Sequence, residues 1–235
     1  MKDGELDDIL KRAAAAQPGP DPALLDKIAA SIQPNMRPVR PLPSARKLHI
    51  ALPAACLAIA TMVAARLGLH GLAAMSGLQF LVIPLVPILI GRAAAAWVNE
   101  TIPGSRRREP PLALLAIACA ALLALFAALF HDPLADGFVH QGVVCLVAGL
   151  ATAVPVALTG WWLLRRGFAV SPTGAAIAAG TLAGLAGVAM LELHCPNFQT
   201  WHVLVWHTAV VPVSAAIAVL LAKLVQIRRA HVDAR

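Results

Sequence analysis

The 235-residue sequence predicts an all-α integral membrane protein, a bundle of six transmembrane helices behind a short cytoplasmic segment that is part helical and part disordered. Hydrophobic residues make up 59% of the chain and charged residues only 13%, about half the charged fraction of soluble domains. The apolar residues fall into six runs of about 20 residues each, the length of helix that crosses a hydrocarbon core. The net charge of +7 does not indicate nucleic-acid binding, because short basic clusters flank these apolar runs.

The first 47 residues are the only sizeable polar region. They are predicted to form two short amphipathic helices, the second with Asp21 as its N-cap and Pro22 at its first position, followed by a proline-rich spacer at 34–43. So short a segment cannot bury its apolar stripes in a core of its own. We interpret the stripes as anchors for a partner protein rather than as part of a solvated leader. The candidate anchors are Leu6, Ile9, Leu10, Leu24, Leu25, Ile28 and Ile32.

The six apolar segments lie near residues 49–69, 78–98, 111–130, 143–164, 173–193 and 202–224. The chain begins with mainly acidic residues and has no apolar run before about Leu48, so the first segment is expected to stay as an anchor. Gly180, Gly184 and Gly187 give the fifth segment a small-residue face that predicts close helix packing. The predicted domains are the cytoplasmic segment 1–47, the transmembrane domain 48–226 and a cytoplasmic tail 227–235.

Basic residues indicate the orientation of the spans. With the amino terminus inside, 18 of the 19 Lys and Arg residues lie on the inner side and only Arg66 lies outside. The outer connections carry Asp132, Asp136 and Glu192 instead. This asymmetry follows the positive-inside rule, and it predicts a multi-pass protein of the bacterial inner membrane with both termini in the cytoplasm.

This topology places Cys145 and Cys195 at the outer ends of helices four and five, which a short inner connection makes antiparallel neighbours. The pair is open to three interpretations: a disulfide, a soft-metal site, or two unrelated small residues near helix ends. Cys56 and Cys119 fall within apolar segments and are interpreted as packing residues. The candidate metal ligands are Cys145, Cys195 and His194, with His140 and His202 as further auxiliary ligands.

Two other function classes explain the sequence less well. An enzyme is not expected, because the chain has no GxSxG or HExxH motif and no pair of membrane-buried carboxylates. A small-molecule or ion transporter would show ionisable groups at mid-bilayer, whereas Glu192 and Arg92 lie toward helix ends. A transmembrane signalling protein accounts for the outer thiols and the amphipathic tail together. No cofactor is predicted beyond a soft metal ion acting as a signal.

Several features form one recognisable pattern: the polar tail before six spans, Cys145, the run Thr-Gly-Trp-Trp-Leu-Leu-Arg-Arg-Gly at 159–167, the Gly/Ala-rich fifth span, Leu193-His194-Cys195-Pro196, and Trp201 with Trp206. This pattern resembles the NrsF-type membrane anti-sigma factors, negative regulators of an extracytoplasmic-function sigma factor. The resemblance covers about residues 5–225. It implies that Cys145 and Cys195 form a periplasmic sensor of heavy-metal or oxidative stress. It also implies that segment 1–47 sequesters the sigma factor, without direct contact to nucleic acid.

Overall fold

The computed structural model describes residues 8, 11–12, 21–32, 42–75, 77–102, 110–131, 137–167, 169 and 171–233. Of the described residues, 88% are helical and none lies in a β-strand, which confirms the predicted all-α class. It divides into two compact units, residues 1–41 and residues 42–235. The domain boundaries at residues 47 and 226 stay predictions.

The smaller unit contains helix α1, Pro22–Ile32. Asp21 caps it as the sequence predicts, because its side-chain oxygen accepts a hydrogen bond from the backbone N–H of Ala23 at 3.0 Å. Residues 21–31 are all exposed. The exposed residues include three candidate anchors, Leu24, Leu25 and Ile28. The other candidate anchors, Leu6, Ile9, Leu10 and the side chain of Ile32, lie outside the described part of the chain.

The larger unit is a bundle whose long helices match the predicted spans. Five of its helices are α2 (Ala45–Leu67), α4 (Val82–Thr101), α5 (Pro111–Leu129), α6 (Phe138–Leu164) and α7 (Pro172–His194), and the short α3 (His70–Ala74) lies between α2 and α4. The last helix, α8, runs through Thr200–His202, a π-helical turn Val203–His207 and Thr208–Asp233. Within the described residues, six helices are long and apolar enough to cross a membrane, which confirms the predicted number.

Helix α7 is the centre of the bundle. It contacts all of the other helices in this unit. Within an 18-residue apolar stretch of each span, 78% of α7 is buried, against 22–44% of the other spans. Its small residues explain this position, because lipid-embedded helices associate through close packing rather than through the hydrophobic effect. A Cβ on Gly184 would lie 2.6 Å from Cα of Val211 in α8, and one on Gly187 would lie 2.5 Å from the carbonyl oxygen of Gly149 in α6. The predicted small-residue face is therefore a contact surface.

Three hydrogen bonds bring alternate helix ends to one face of the bundle. His194, at the end of α7, lies with Nδ1 2.8 Å from the carbonyl oxygen of Gly68, just after α2. Thr200, which opens α8, donates to the carbonyl of Phe130 after α5 at 2.9 Å. The Asn197 amide donates to Gln141 in the first turns of α6 at 2.7 Å. Alternate helix ends must share a face when successive spans cross the membrane antiparallel to each other. The predicted sensor residues lie on this same face.

Helix α6 begins earlier than the sequence predicts. Its apolar run was expected from residue 143, but the helix starts at Phe138 and includes the polar His140 and Gln141. Gln141 is held there by its bond to Asn197, so this polar turn has a packing partner of its own. Cys145 consequently lies about 10 Å along the helix rather than at its mouth.

Candidate sensor site

The two cysteines predicted at similar depth lie side by side. Cys145 Sγ in α6 is 3.5 Å from Cys195 Sγ, which follows the last residue of α7. Both thiols are free. Cys195 is buried and Cys145 is half-buried. A disulfide bond measures about 2.05 Å, so the structure shows a dithiol in contact and not a cross-link.

The end of α7 fixes the position of Cys195. The backbone leaves the helix at this residue with an extended conformation, while its N–H still donates to the carbonyl of Leu191 at 2.7 Å. Pro196 has no N–H with which to continue the helix. The short helix α3 covers this turn at Gly71, where a Cβ would lie 2.7 Å from the carbonyl oxygen of Cys195. Cys195 is therefore held by its own helix cap and by the close packing of α3.

Two histidines from α8 complete the surroundings of the thiols. His202 and His207 are fully buried, and their rings meet edge to face with centroids 5.2 Å apart. The Nε2 atom of His202 is 3.6 Å from Cys195 Sγ. In a regular α-helix, residues five apart point about 140° away from each other. The π-helical turn Val203–His207, closed by the Thr208 N–H to the carbonyl of Val203, adds a residue to the turn and brings both rings to one side.

A buried carboxylate orients the second histidine. The Nδ1–H of His207 donates to Glu192 Oε1 at 2.7 Å, and the two side chains are 0% and 1% exposed. Among the described residues, the other Glu192 oxygen and the Nε2 atom of His207 have no hydrogen-bond partner. Glu192 therefore orients the ring of His207, with Nδ1 toward the carboxylate and Nε2 away from it.

Together these residues form a compact set of four donor groups, which we call the thiol–imidazole cluster: Cys145, Cys195, His202 and His207. One ligand atom from each lies within 4.8 Å of all the others. The hydrogen bond with Cys145, and then burial, raises the pKa of the Cys195 thiol above its ordinary value, against the opposing effect of the two histidines. The neighbouring thiol and burial therefore both favour the protonated form of Cys195.

Other candidate residues lie apart from this cluster. His194 binds Gly68, and its ring centroid is 6.0 Å from that of His70. His140 is exposed in the first turn of α6. Cys56 is buried and Cys119 half-buried, and neither belongs to the cluster. Of the predicted auxiliary ligands, the structure brings only His202 to the thiols, and it adds His207, which the sequence did not single out as a ligand.

Comparison with known proteins agrees with the sequence pattern. A family model described as a negative regulator of sigma F matches residues 34–226. No curated protein and no solved structure matches the chain. The matched region contains the first five spans, the sixth span up to residue 226, and all four residues of the thiol–imidazole cluster. Because the match covers most of its length, the chain belongs to the NrsF family, the negative regulators of sigma F.

Proposed function

We propose that this protein is a membrane-bound anti-sigma factor that binds an extracytoplasmic-function sigma factor through its cytoplasmic amino-terminal segment. It releases that factor when Cys145 and Cys195 react with a thiophilic metal ion or an oxidant. Family membership supplies the negative regulation of a sigma factor and favours this function over a transporter. The proposed sensing role is supported mainly by one observation. The two sulfur atoms, from Cys145 in α6 and Cys195 after α7, lie 3.5 Å apart beside two buried imidazoles.

Both reactions change the distance between α6 and the end of α7. Disulfide formation breaks two S–H bonds and makes one S–S bond, while an oxidant such as a peroxide accepts two electrons and the two protons leave. The sulfur atoms then move about 1.5 Å closer together. Metal binding instead replaces both thiol protons with bonds to the ion. Because α7 contacts every other span, and its packing is too tight to absorb a shift locally, this movement is transmitted to the cytoplasmic ends of the helices.

The amino-terminal segment provides the partner surface. Leu24, Leu25 and Ile28 stand on one face of α1 with about half of each side chain exposed. An amphipathic helix of this kind binds by laying its apolar face into a groove of its partner. The sequence at residues 34–43 is rich in proline, a composition typical of extended spacers. The groove belongs to a sigma factor, the class of protein that the family regulates.

Orientation is a separate part of the proposal. We propose that the face with Cys195 lies in the periplasm and both termini in the cytoplasm, and the charge asymmetry of the sequence supports this orientation. Reporter fusions at residues 134 and 198 are expected to read as periplasmic, and fusions at 105, 169 and 235 as cytoplasmic. A periplasmic signal from the fusion at 169 would contradict the shared outer face of the two thiols.

Co-purification tests the regulatory function directly. The tagged full-length protein, solubilised from its native membranes, is expected to carry with it one sigma subunit of RNA polymerase. A similarly tagged, unrelated six-span protein from the same membranes serves as the control for non-specific capture. If the protein is recovered intact and no sigma subunit accompanies it beyond that control, the anti-sigma function is wrong.

A further inference from the structure

We infer that the thiol–imidazole cluster is a binding site for one divalent d¹⁰ metal ion of the zinc group, ligated by Cys145, Cys195, His202 and His207. Glu192 is the positioning residue that orients His207. The inference rests on the proposed sensing role of the two cysteines and names the ligand of that site. The nitrogen ligands are His202 and His207 in place of His194, the histidine predicted from the sequence.

Two distances within the cluster are close to the edges of a tetrahedral shell, and the other ligand atoms lie within 4.8 Å of one another. With zinc–sulfur and zinc–nitrogen bonds of about 2.3 and 2.0 Å, the edges of a tetrahedron measure about 3.8 Å between two sulfurs and about 3.5 Å between sulfur and nitrogen. The measured distances are 3.5 Å between the two Sγ atoms and 3.6 Å from Cys195 Sγ to His202 Nε2. Metal binding therefore needs shifts of a few tenths of an ångström along these two edges. A disulfide needs a much larger approach.

The Glu192–His207 pair has the chemistry of a prepared ligand. A metal-binding histidine typically donates its other ring N–H to a carboxylate, which fixes the tautomer and makes the free nitrogen a better ligand. His207 donates through Nδ1 to Glu192 at 2.7 Å. Its Nε2 atom is buried, with no hydrogen-bond partner in the described part of the protein. A buried polar atom in that state is costly, and a bond to a metal ion would satisfy it.

Charge balance selects the class of ion. When a divalent ion binds, two S–H bonds break, the two protons leave to solvent, and two metal–sulfur and two metal–nitrogen bonds form. The buried site then gains no net charge. A monovalent or trivalent ion would leave one unit of uncompensated charge, which is costly to bury away from water. Thiolate and imidazole ligands favour zinc-like, borderline-soft ions. Half-buried Cys145 provides the entry path, since the other three ligands are buried.

Cobalt binding by the purified full-length protein tests this inference without reference to sigma release. In detergent, under reducing and oxygen-free conditions, the wild type is expected to bind one Co²⁺ per chain. The expected spectrum shows thiolate-to-cobalt charge transfer and intense tetrahedral ligand-field bands, both lost on adding Zn²⁺ or Cd²⁺. Cys145→Ser and His207→Ala should lose the tetrahedral spectrum. Glu192→Gln should weaken affinity by roughly 10- to 100-fold, and His194→Ala and His140→Ala should match the wild type.

Two outcomes would overturn the site. The first is a wild type that binds neither Co²⁺ nor Zn²⁺. The second is a wild-type spectrum retained in both His202→Ala and His207→Ala. X-ray absorption of the zinc-loaded wild type adds a readout that no folding defect of a variant affects: two sulfur and two nitrogen ligands are expected, and any other set contradicts the assignment. Sigma co-purification from the same preparations separates the two claims, since an intact sigma complex without metal binding would reject this site alone.

Discussion

Replacing Leu25 or Ile28 by aspartate is expected to free the sigma factor and switch on its genes without an inducer. Both side chains are about half exposed on the apolar face of α1, and burying a Leu or Ile supplies ~1.5–3 kcal/mol of gross stabilisation. Aspartate removes that gain and adds the cost of burying a carboxylate without a partner. A loss of roughly 3–5 kcal/mol corresponds to a Kd weakened about 10²- to 10³-fold or more.

Ala30→Asp is the matched control for this prediction. Ala30 is exposed on the same helix, and at 100° per residue it lies opposite the stripe of Leu25 and Ile28. Ala30→Asp introduces the same charge as the other two substitutions but outside the apolar stripe, so it should leave repression intact. A sigma-dependent transcriptional reporter measures the effect, with a blot to check that each variant reaches the membrane. If Leu25→Asp and Ile28→Asp both repress as fully as Ala30→Asp, the segment is a solvated leader and the anti-sigma mechanism proposed for it is wrong.

Serine at Cys145 or Cys195 is expected to abolish the response to inducer. A hydroxyl group cannot form a disulfide, and it is a poor ligand for soft metals. Because the two sulfur atoms are in contact at 3.5 Å, each thiol depends on the other in either reaction. Each single variant should therefore lose the response as completely as the double variant. The ratio of induced to uninduced reporter expression should fall to about 1.

The other two cysteines provide the control for serine substitution. Cys56 lies buried in α2 and Cys119 half-buried in α5, both away from the thiol–imidazole cluster. Cys56→Ser and Cys119→Ser are expected to respond to inducer nearly as the wild type does. Normal induction in both Cys145→Ser and Cys195→Ser would show that the signal enters the protein elsewhere.

The sequence predicted the architecture because the membrane imposes simple rules on it. Apolar run length identifies the spans, and the small residues of the fifth span predict its close contacts, which the structure shows at Gly184 and Gly187. The start of α6 was misplaced because His140 and Gln141 are polar. Nothing in the local sequence shows that Gln141 bonds Asn197, more than fifty residues away.

The histidine ligands were less predictable. Glu192, His194 and Cys195 are neighbours in sequence and were grouped together, but residues two apart on a helix point about 160° away from each other. Glu192 consequently reaches His207 in α8, whereas His194 reaches Gly68 after α2. His202 and His207 would diverge on a regular helix, and only the π-helical turn brings them to the thiols. Single-sequence periodicity contains no signal for such a turn.

Sigma retention by the reconstituted complex tests whether the two cysteines control release of the sigma factor. The full-length protein, bound to its sigma factor in lipid nanodiscs, is challenged with Cd²⁺ in one arm and with a peroxide in another, and the sigma factor left on the discs is measured. At least one reagent is expected to release most of the sigma factor from the wild type, while Cys145→Ser and Cys195→Ser retain it. Retention by the wild type in both arms, or equal release from the serine variants, would show that these cysteines do not control sigma release.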